Sequence, residues 1–392
     1  MAHFGRDRLA DFLIDPAITY LNHGTVGVPP RAVLAKQQAW RDRIERNPSQ
    51  FLFRELTPLH DMSPPERPEL RLAADAVAGR LGAKGDDLVF TDNITSAANA
   101  VLRSLTFGPG DEVLVTDLNY GAITLAAQAV TRGVGAHVRT AEMPRHGARP
   151  EAFTAAIDLA IGPRTRLVIV DHLTSGSALV LPVEEIVALC RKRGVPILVD
   201  GAHVPGQLPL DLEALGADWY VANLHKWAFA PRSAGFLWAP PHRQTGLHPA
   251  VISWGLDAGF THEFDWCGTR DVTPWLSAPA GFEYLESLGE SALRQWNHAL
   301  AWGGAHVLAA RLGTEFATPE SMIAFMASVP LPESLGSTGD DATRLRDALW
   351  YEDRIEAPIL TREGRLWVRI CGQVYNEPAD YEALAEAIAK RA

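Results

Sequence analysis

The chain has 392 residues, with 36 Lys and Arg against 47 Asp and Glu for a formal charge of −11; 47% are apolar and 21% charged. That balance belongs to a globular protein with more than one core, and the acidity argues against a nucleic-acid surface. No run of about 18 apolar residues signals a membrane span. The opening MAHFGRDRLADFLIDP is too charged for a signal peptide, and the scattered Cys190, Cys267 and Cys371 form neither a disulfide framework nor a zinc site, which fits a reducing cytoplasm.

In chain order, residues 31–47 read as a helix that starts after Pro29-Pro30 and stops before Pro48. Residues 58–68 carry four prolines and read as an irregular loop. From about residue 86 to 240, strands alternate with helices. Short apolar runs at Leu88–Thr91, Glu112–Asp117, Arg166–His172, Pro196–Asp200, Trp219–Leu224 and Gly235–Trp238 read as buried strands. Helical patterns such as Gly121–Thr131 and Val183–Arg193 lie between them. The basic run Arg191-Lys192-Arg193 before Gly194 reads as a helix C-terminus. This alternation predicts an α/β domain with a mainly parallel sheet. Residues 273–313 read as helical, with Pro274 near a start. The tail mixes strands (Met322–Val329, Arg365–Ile370) with helices (Asp341–Trp350, Asp380–Lys390), predicting a smaller α+β domain.

Ligands of such sheets sit outside the C-terminal strand ends, and four of those ends carry chemistry. Thr91-Asp92-Asn93-Ile94-Thr95-Ser96 opens a helix, as a plain cap or as an anion site. Tyr120 follows the next strand and is either a rim aromatic or a surface for a flat ligand. Asp200 ends the apolar run Ile-Leu-Val, with His203 three residues on. A carboxylate there needs a partner, and two titratable groups at one strand end mark a candidate site. Lys226 lies between apolar and aromatic residues, where desolvation turns an ammonium into a nucleophilic amine unless its tip reaches water. Nucleotide fingerprints, a GxSxG elbow and an HExxH motif are absent, and the histidines lack metal-ligand spacing, so no metal is expected. A lysine for an aldehyde, a carboxylate for a pyridinium, a helix start for a phosphate and an aromatic for a ring together describe pyridoxal 5'-phosphate.

The sequence resembles the class V aminotransferase family of fold-type I pyridoxal-phosphate enzymes, and within it the isopenicillin N epimerase-like branch. The resemblance is carried by Tyr20-Leu21-Asn22-His23-Gly24-Thr25, Asn93-Ile94-Thr95-Ser96, Asp200-Gly201-Ala202-His203, Asn223-Leu224-His225-Lys226, Cys267-Gly268-Thr269-Arg270-Asp271 and Trp367-Val368-Arg369-Ile370. It implies a seven-stranded-type sheet and three parts. Residues 1–30 would be a segment serving the active site and small domain, 31–270 the large cofactor domain, and 271–392 interdomain helices and the small C-terminal domain. It implies that Lys226 forms the Schiff base, that Asp200 pairs with the ring nitrogen, and that His203 approaches the ring hydroxyl. Tyr120 would stack on the ring, and Thr95, Ser96, Asn223 and His225 would bind phosphate. Thr269 would reach in from a second subunit of a homodimer with shared active sites, and Arg369, with Asn22 beside it, would clamp a substrate α-carboxylate. Neither Cys371, two residues after Arg369, nor Cys267 occupies the persulfide-forming position of the family's desulfurases.

The expected substrate is a small amino acid, processed by Lys226 as base at Cα. Epimerisation leads, with a C–S lyase (cysteine-conjugate or ergothioneine-type sulfoxide) or an aminotransferase as alternatives. An epimerase also needs a proton donor facing Lys226, and no residue of the sequence stands out for it. A non-catalytic pyridoxal-phosphate sensor is the reading from another class, opposed by the presence of both Lys226 and Asp200. The proline-rich loop and the stretch around Trp254 and Trp266 are further candidates for the pocket wall.

Overall fold

A computed structural model describes residues 4–57, 65–145 and 147–392. Most of the proline-rich loop, residues 58–64, lies outside the described residues. The helices are α1 (Arg31–Arg46), α2 (Glu69–Arg80), α3 (Ile94–Ser104), α4 (Gly121–Arg132), α5 (Pro150–Ala160), α6 (Val183–Arg193), α7 (Ala278–Leu288), α8 (Glu290–Leu312), α9 (Gly339–Asp353) and α10 (Pro378–Ala389). The strands are β1 (Leu88–Thr91), β2 (Glu112–Thr116), β3 (His137–Ala141), β4 (Thr165–Asp171), β5 (Ile197–Asp200), β6 (Trp219–Asn223), β7 (Gly235–Trp238), β8 (Met326–Pro330), β9 (Ile359–Arg362) and β10 (Arg365–Cys371).

The seven-stranded sheet has the order β1-β7-β6-β5-β4-β2-β3, with β7 alone running against the others. Alternation along its strands splits the core between two faces. In β4, Val168 and Val170 join one cluster with Phe90 and Val199, whereas Leu167 and Ile169 join Val89, Leu198 and Val221 on the other side. Burial on both faces explains why these strands are apolar runs rather than alternating sequences. The chain moves outward from β2 to β3, then returns to β4 and proceeds to β5 and β6. The switch point between β2 and β4 places its crevice at the C-terminal strand ends.

Local signals act as their chemistry demands. The Asn93 side chain accepts the Ser96 N–H at 3.1 Å to cap α3. Helix α6 begins with Glu184 and Glu185, ends with Arg191-Lys192-Arg193 and closes on Gly194 at φ 67°. Some elements go beyond the sequence reading, among them β9, edge strand β3 and helix α2. Edge strand β3 is largely exposed and shows no apolar run. Helix α2 starts straight after Pro68 and buries Leu70, Ala74 and Val77 together with Arg71.

Arg71 Nη2 meets the Asp265 carboxylate at 2.6 Å with both side chains 6% exposed, and its Nη1 donates to the Gly85 and Leu88 carbonyls. Arg71→Met is expected to lower stability by about 3–5 kcal/mol, because Asp265 would stay buried without its partner. Denaturant unfolding measures this, and the Arg71→Met/Asp265→Leu double variant should recover most of the loss.

A three-stranded antiparallel sheet, β9-β10-β8, lies under α8 and α10, with Leu300, Leu308, Val329, Val368, Leu384 and Ile388 among its core residues. Thr19–Tyr20 pairs in parallel with Ile355–Glu356, tying the N-terminal segment to this region. That segment then runs beneath the Lys226 loop. Gly27, at φ 66°, packs so closely on the His225 carbonyl that a Cβ would collide with it.

Candidate active site

Every parallel strand of the centre delivers side chains to one cavity of about 470 Å³. β1 and α3 supply Asn93, Thr95 and Ser96, β2 leads to Tyr120, β4 ends in Asp171, β5 in Asp200, and β6 in Asn223 before His225 and Lys226. Eight residues named from the sequence thus converge: Thr95, Ser96, Tyr120, Asp200, His203, Asn223, His225 and Lys226.

Lys226 sits in a tight turn closed by the Ala230 N–H donating to the Leu224 carbonyl, with Phe229 at φ 58°. A non-glycine residue at positive φ is strain that surrounding packing must hold in place. Trp227, packed against His23 and Phe325, and the His23 ring 3.0 Å from the Lys226 carbonyl provide that packing. Desolvation first, then the Arg369 charge, pulls the Lys226 ammonium down to about 8, with Asp200 and Asp171 opposing.

The Lys226 Nζ lies 3.1 Å from His203 Nε2, and the Trp227 indole N–H donates to His203 Nδ1 at 3.3 Å. Burial, then the Lys226 charge, holds His203 far below its ordinary pKa, so its ring is neutral. An indole nitrogen only donates, so His203 Nδ1 is the acceptor and the ring proton sits on Nε2. The Nε2–H therefore meets the Nζ lone pair once Lys226 has lost its proton, above about pH 8.

The Asp200 carboxylate is 2% exposed. One oxygen accepts the Ala202 N–H at 2.9 Å, and Oδ2 is buried without a partner. Burial raises its pKa to about 6, while the Ala202 N–H and Lys226 pull the other way. Asp171 pairs with it in register on the neighbouring strand, and burial plus the Asp200 charge raise Asp171 as well. The Asn119 amide donates to Asp171 at 2.7 Å, which steadies the turn that presents Tyr120.

At the α3 end, Asn223 Oδ1 accepts the Ile94 N–H at 3.1 Å, so its amide nitrogen is the group left for a ligand. The hydroxyls of Thr95 and Ser96 have no protein partner among the described residues, and they stand at the positive end of an 11-residue helix. His225 Nδ1 lies 2.8 Å from the Ala234 carbonyl, and burial followed by the Lys226 charge lowers its pKa to about 4. The N–H is thus on Nδ1, and an anion at Nε2 would favour protonation there.

Arg369, 4% exposed, lies just behind the cavity. It donates to Thr25 Oγ1 at 2.7 Å, to Asn22 Oδ1 at 3.2 Å and to the Ser175 carbonyl at 2.8 Å, and its Nε is buried without a partner. Asn22 in turn donates to Glu356 at 2.8 Å. Thr25 and Ser175 line the cavity, whereas Arg369 and Asn22, both named from the sequence, stand behind them and outside its lining.

Thr269 is exposed and outside the cavity lining of its own chain. Trp254 and Trp266 also stand off the cavity: Trp254 is exposed on the surface, and Trp266 packs against Phe53 in the core. Cys371 is a buried strand residue whose sulfur accepts the Gly24 N–H, and no cysteine lines the cavity among the described residues. Elsewhere, folding gathers His248, Asp257 and Glu263, a grouping that sequence spacing hides. His248 and Glu263 satisfy each other at 2.7 Å.

Thr25, Asp171 and Ser175 were missed. Asp171-His172 ends the apolar run Leu-Val-Ile-Val as Asp200 ends Ile-Leu-Val, so the same signal could have found it. Thr25 closes the segment Tyr20–Thr25 that carries the resemblance but received no role, and Ser175 has no such signal.

The residues present fit pyridoxal phosphate. A buried carboxylate oxygen lacks a donor beside a desolvated lysine, and unpaired hydroxyls stand at a helix start. The arrangement is that of a fold-type I pyridoxal-phosphate enzyme. The family described as aminotransferase class-V matches residues 57–336, and the chain belongs to it. Isopenicillin N epimerase of Streptomyces clavuligerus is 32% identical over 394 residues, covering 96% of this chain and 95% of that protein. A probable chloroplastic L-cysteine desulfhydrase of Arabidopsis thaliana is 33% identical over 403 residues, covering 95% and 83%. Among solved structures, the cystine C-S lyase C-DES, bound to its product cysteine persulfide, matches with a TM-score of 0.75 at 23% identity over 98% of this chain and 99% of that one. A variant of C-DES holds glycine covalently linked to its PLP cofactor. No helix among the described residues is long and apolar enough to cross a membrane.

Proposed function

We propose that this chain is a pyridoxal-phosphate enzyme acting at Cα or Cβ of an amino-acid substrate, with isopenicillin N epimerase-like inversion as the leading reaction. The observation that carries the reading is the desolvated Lys226 amine in the same cavity as Asp200, whose Oδ2 lacks a partner. When bound, the cofactor supplies an aldehyde for the substrate amine and a ring that accepts electrons from Cα.

The chain does the rest. Asp200 would hold a proton on the ring nitrogen by charge. Thr95, Ser96, Asn223 and His225 would bind the phosphate at the α3 start, and Tyr120 would cover the ring. His203 would offer its Nε2–H to the ring oxygen. Arg369 offers its unpartnered Nε–H to the substrate α-carboxylate, with Asn22 and Thr25 fixing the fork. Lys226 Nζ, increasingly neutral as pH rises through about 8, takes the proton from Cα.

The same proposal includes residues 1–30, 31–270 and 271–392 as its three parts, a homodimer and a cytoplasmic setting. The large sheet lies within residues 88–238 and the small one within 326–371. The exposed Thr269 and the exposed apolar Val251, Ile252, Trp254 and Leu256 support a second copy, whose Thr269 would reach this cavity. Three free cysteines support a reducing compartment.

A second reading, release of sulfur from a cysteine-type substrate, is favoured by the desulfhydrase relative of nearly equal identity. With no cysteine at the cavity, such a reaction would proceed without a persulfide on this chain. Incubation of amino acids in heavy water with the loaded enzyme separates the two. Cα deuteration with inversion supports the epimerase, pyruvate with sulfide supports the lyase, and absence of Cα exchange with every substrate overturns both.

A further inference from the structure

One face of the small sheet carries Arg369 and, farther along, side chains that the proposed reaction does not use. Register places Ser328 opposite Arg369, Leu360 opposite Trp367 and Arg362 opposite Arg365. Partners across an antiparallel pair, and alternate residues along a strand, share a face. Arg369, Trp367 and Arg362 therefore occupy one face in sequence. Arg365 and Arg369 are separated by about 13 Å of strand.

This face forms a wall of a second chamber of about 350 Å³, also lined by Tyr120 and Ser175. Tyr120 and Ser175 line the main cavity too, so the two spaces adjoin. Ser175 is also the residue whose carbonyl Arg369 grips. A substrate held at Arg369 thus has one adjoining space for its side chain.

The chamber holds a cation with a buried donor that makes no hydrogen bond. The Arg362 guanidinium lies 3.8 Å over the Trp367 ring, its side chain is 21% exposed, and its Nε is buried without a hydrogen bond. Glu363 forms an ion pair with it at 3.6 Å, longer than a hydrogen bond. The Ser328 hydroxyl on the same wall is likewise buried and unpaired. Asp117, the only acid among the described lining residues, attracts the Arg362 charge without a hydrogen bond to it, and its Oδ1 accepts the Met143 N–H at 3.0 Å. An unpaired buried donor on a charged group is costly, and a carboxylate is its natural acceptor.

We propose that Arg362 is a specificity-determining residue that binds a distal carboxylate on the substrate side chain. The substrate is then an elongated amino acid with an acid at each end, one at Arg369 and one at Arg362, its chain passing Tyr120 and Ser175. This rests on the proposed role of Arg369.

The test is a titration of the cofactor-loaded protein, read from the visible absorbance of bound cofactor. L-2-aminosuberate is compared with its neutral isostere L-2-aminooctanoate, and L-2-aminoadipate with L-norleucine. The acidic member of the longer pair is expected to bind about 10-fold to 100-fold more tightly, the range of a hydrogen bond to a charged group. Arg362→Gln should bring that ratio close to one, and Arg362→Lys, which keeps charge but loses the fork, should retain part of it. Normal cofactor absorbance and melting temperature show that each variant is folded. A ratio near one in the unaltered protein, or a ratio that survives in Arg362→Gln, overturns the assignment and leaves the proposed reaction standing. Failure of the protein to take up cofactor overturns both.

Discussion

Lys226→Ala is expected to leave a folded protein from which borohydride no longer yields cofactor fixed to residue 226, and whose turnover has fallen by at least the 10²- to 10⁴-fold typical of a lost general base. The loop that carries this amine is held by its other residues. Trp227 packs on His23 and Phe325, Phe229 takes a left-handed backbone, and Gly27 runs beneath the His225 carbonyl. None of these contacts uses the lysine side chain, so the truncation should spare the fold. The Nζ contributes a desolvated amine beside His203, which is unfavourable for stability unless it serves chemistry. The measurements are peptide mass after reduction, steady-state rates and a thermal melt. Full activity in this variant would sink the enzyme reading.

Asp200→Asn should cost about 10²- to 10³-fold in kcat, the range for loss of one preorganised electrostatic group. The amide keeps the shape and can still accept the Ala202 N–H through its oxygen, so what is removed is charge. An independent readout comes from the cofactor-free protein. Burial raises the Asp200 pKa from 3.8 to about 6, which means the folded state binds its proton more tightly than the unfolded chain does. This group's contribution to stability is fully present below pH 3.8 and is lost as pH rises through about 6. Asp171 adds in the same direction. Asp200→Asn should flatten the fall in stability across that window. Melting curves at several pH values measure it, and a slope equal to that of the unaltered protein would mean that Asp200 is not a buried acid.

The parts of this molecule legible in its sequence are those where one residue contradicts its surroundings. Asp200 and Lys226 interrupt apolar runs, and a charge in such a place demands a reason. The six buried strands were legible because burial on both faces leaves an unbroken apolar stretch. β3 was not, since an edge strand with exposed His137 and Arg139 follows no such rule. Thr25 and Ser175 carry hydroxyls of the kind found in any loop, and only tertiary packing gives them a place beside Arg369. Trp254 and Trp266 show the converse, because aromatic content near a site does not say which way the rings face. The wall carrying Arg362 was hidden for the same reason, its meaning arising only from the pairing of β9 with β10.

The contact of Arg369 with Asn22 joins residues 347 positions apart. The seven-stranded sheet, whose strands all lie within residues 88–238, needs no such closure. The Arg369 fork thus depends on a long-range pairing of the N-terminal segment with the small sheet, and the frame around Lys226 has a separate source of order.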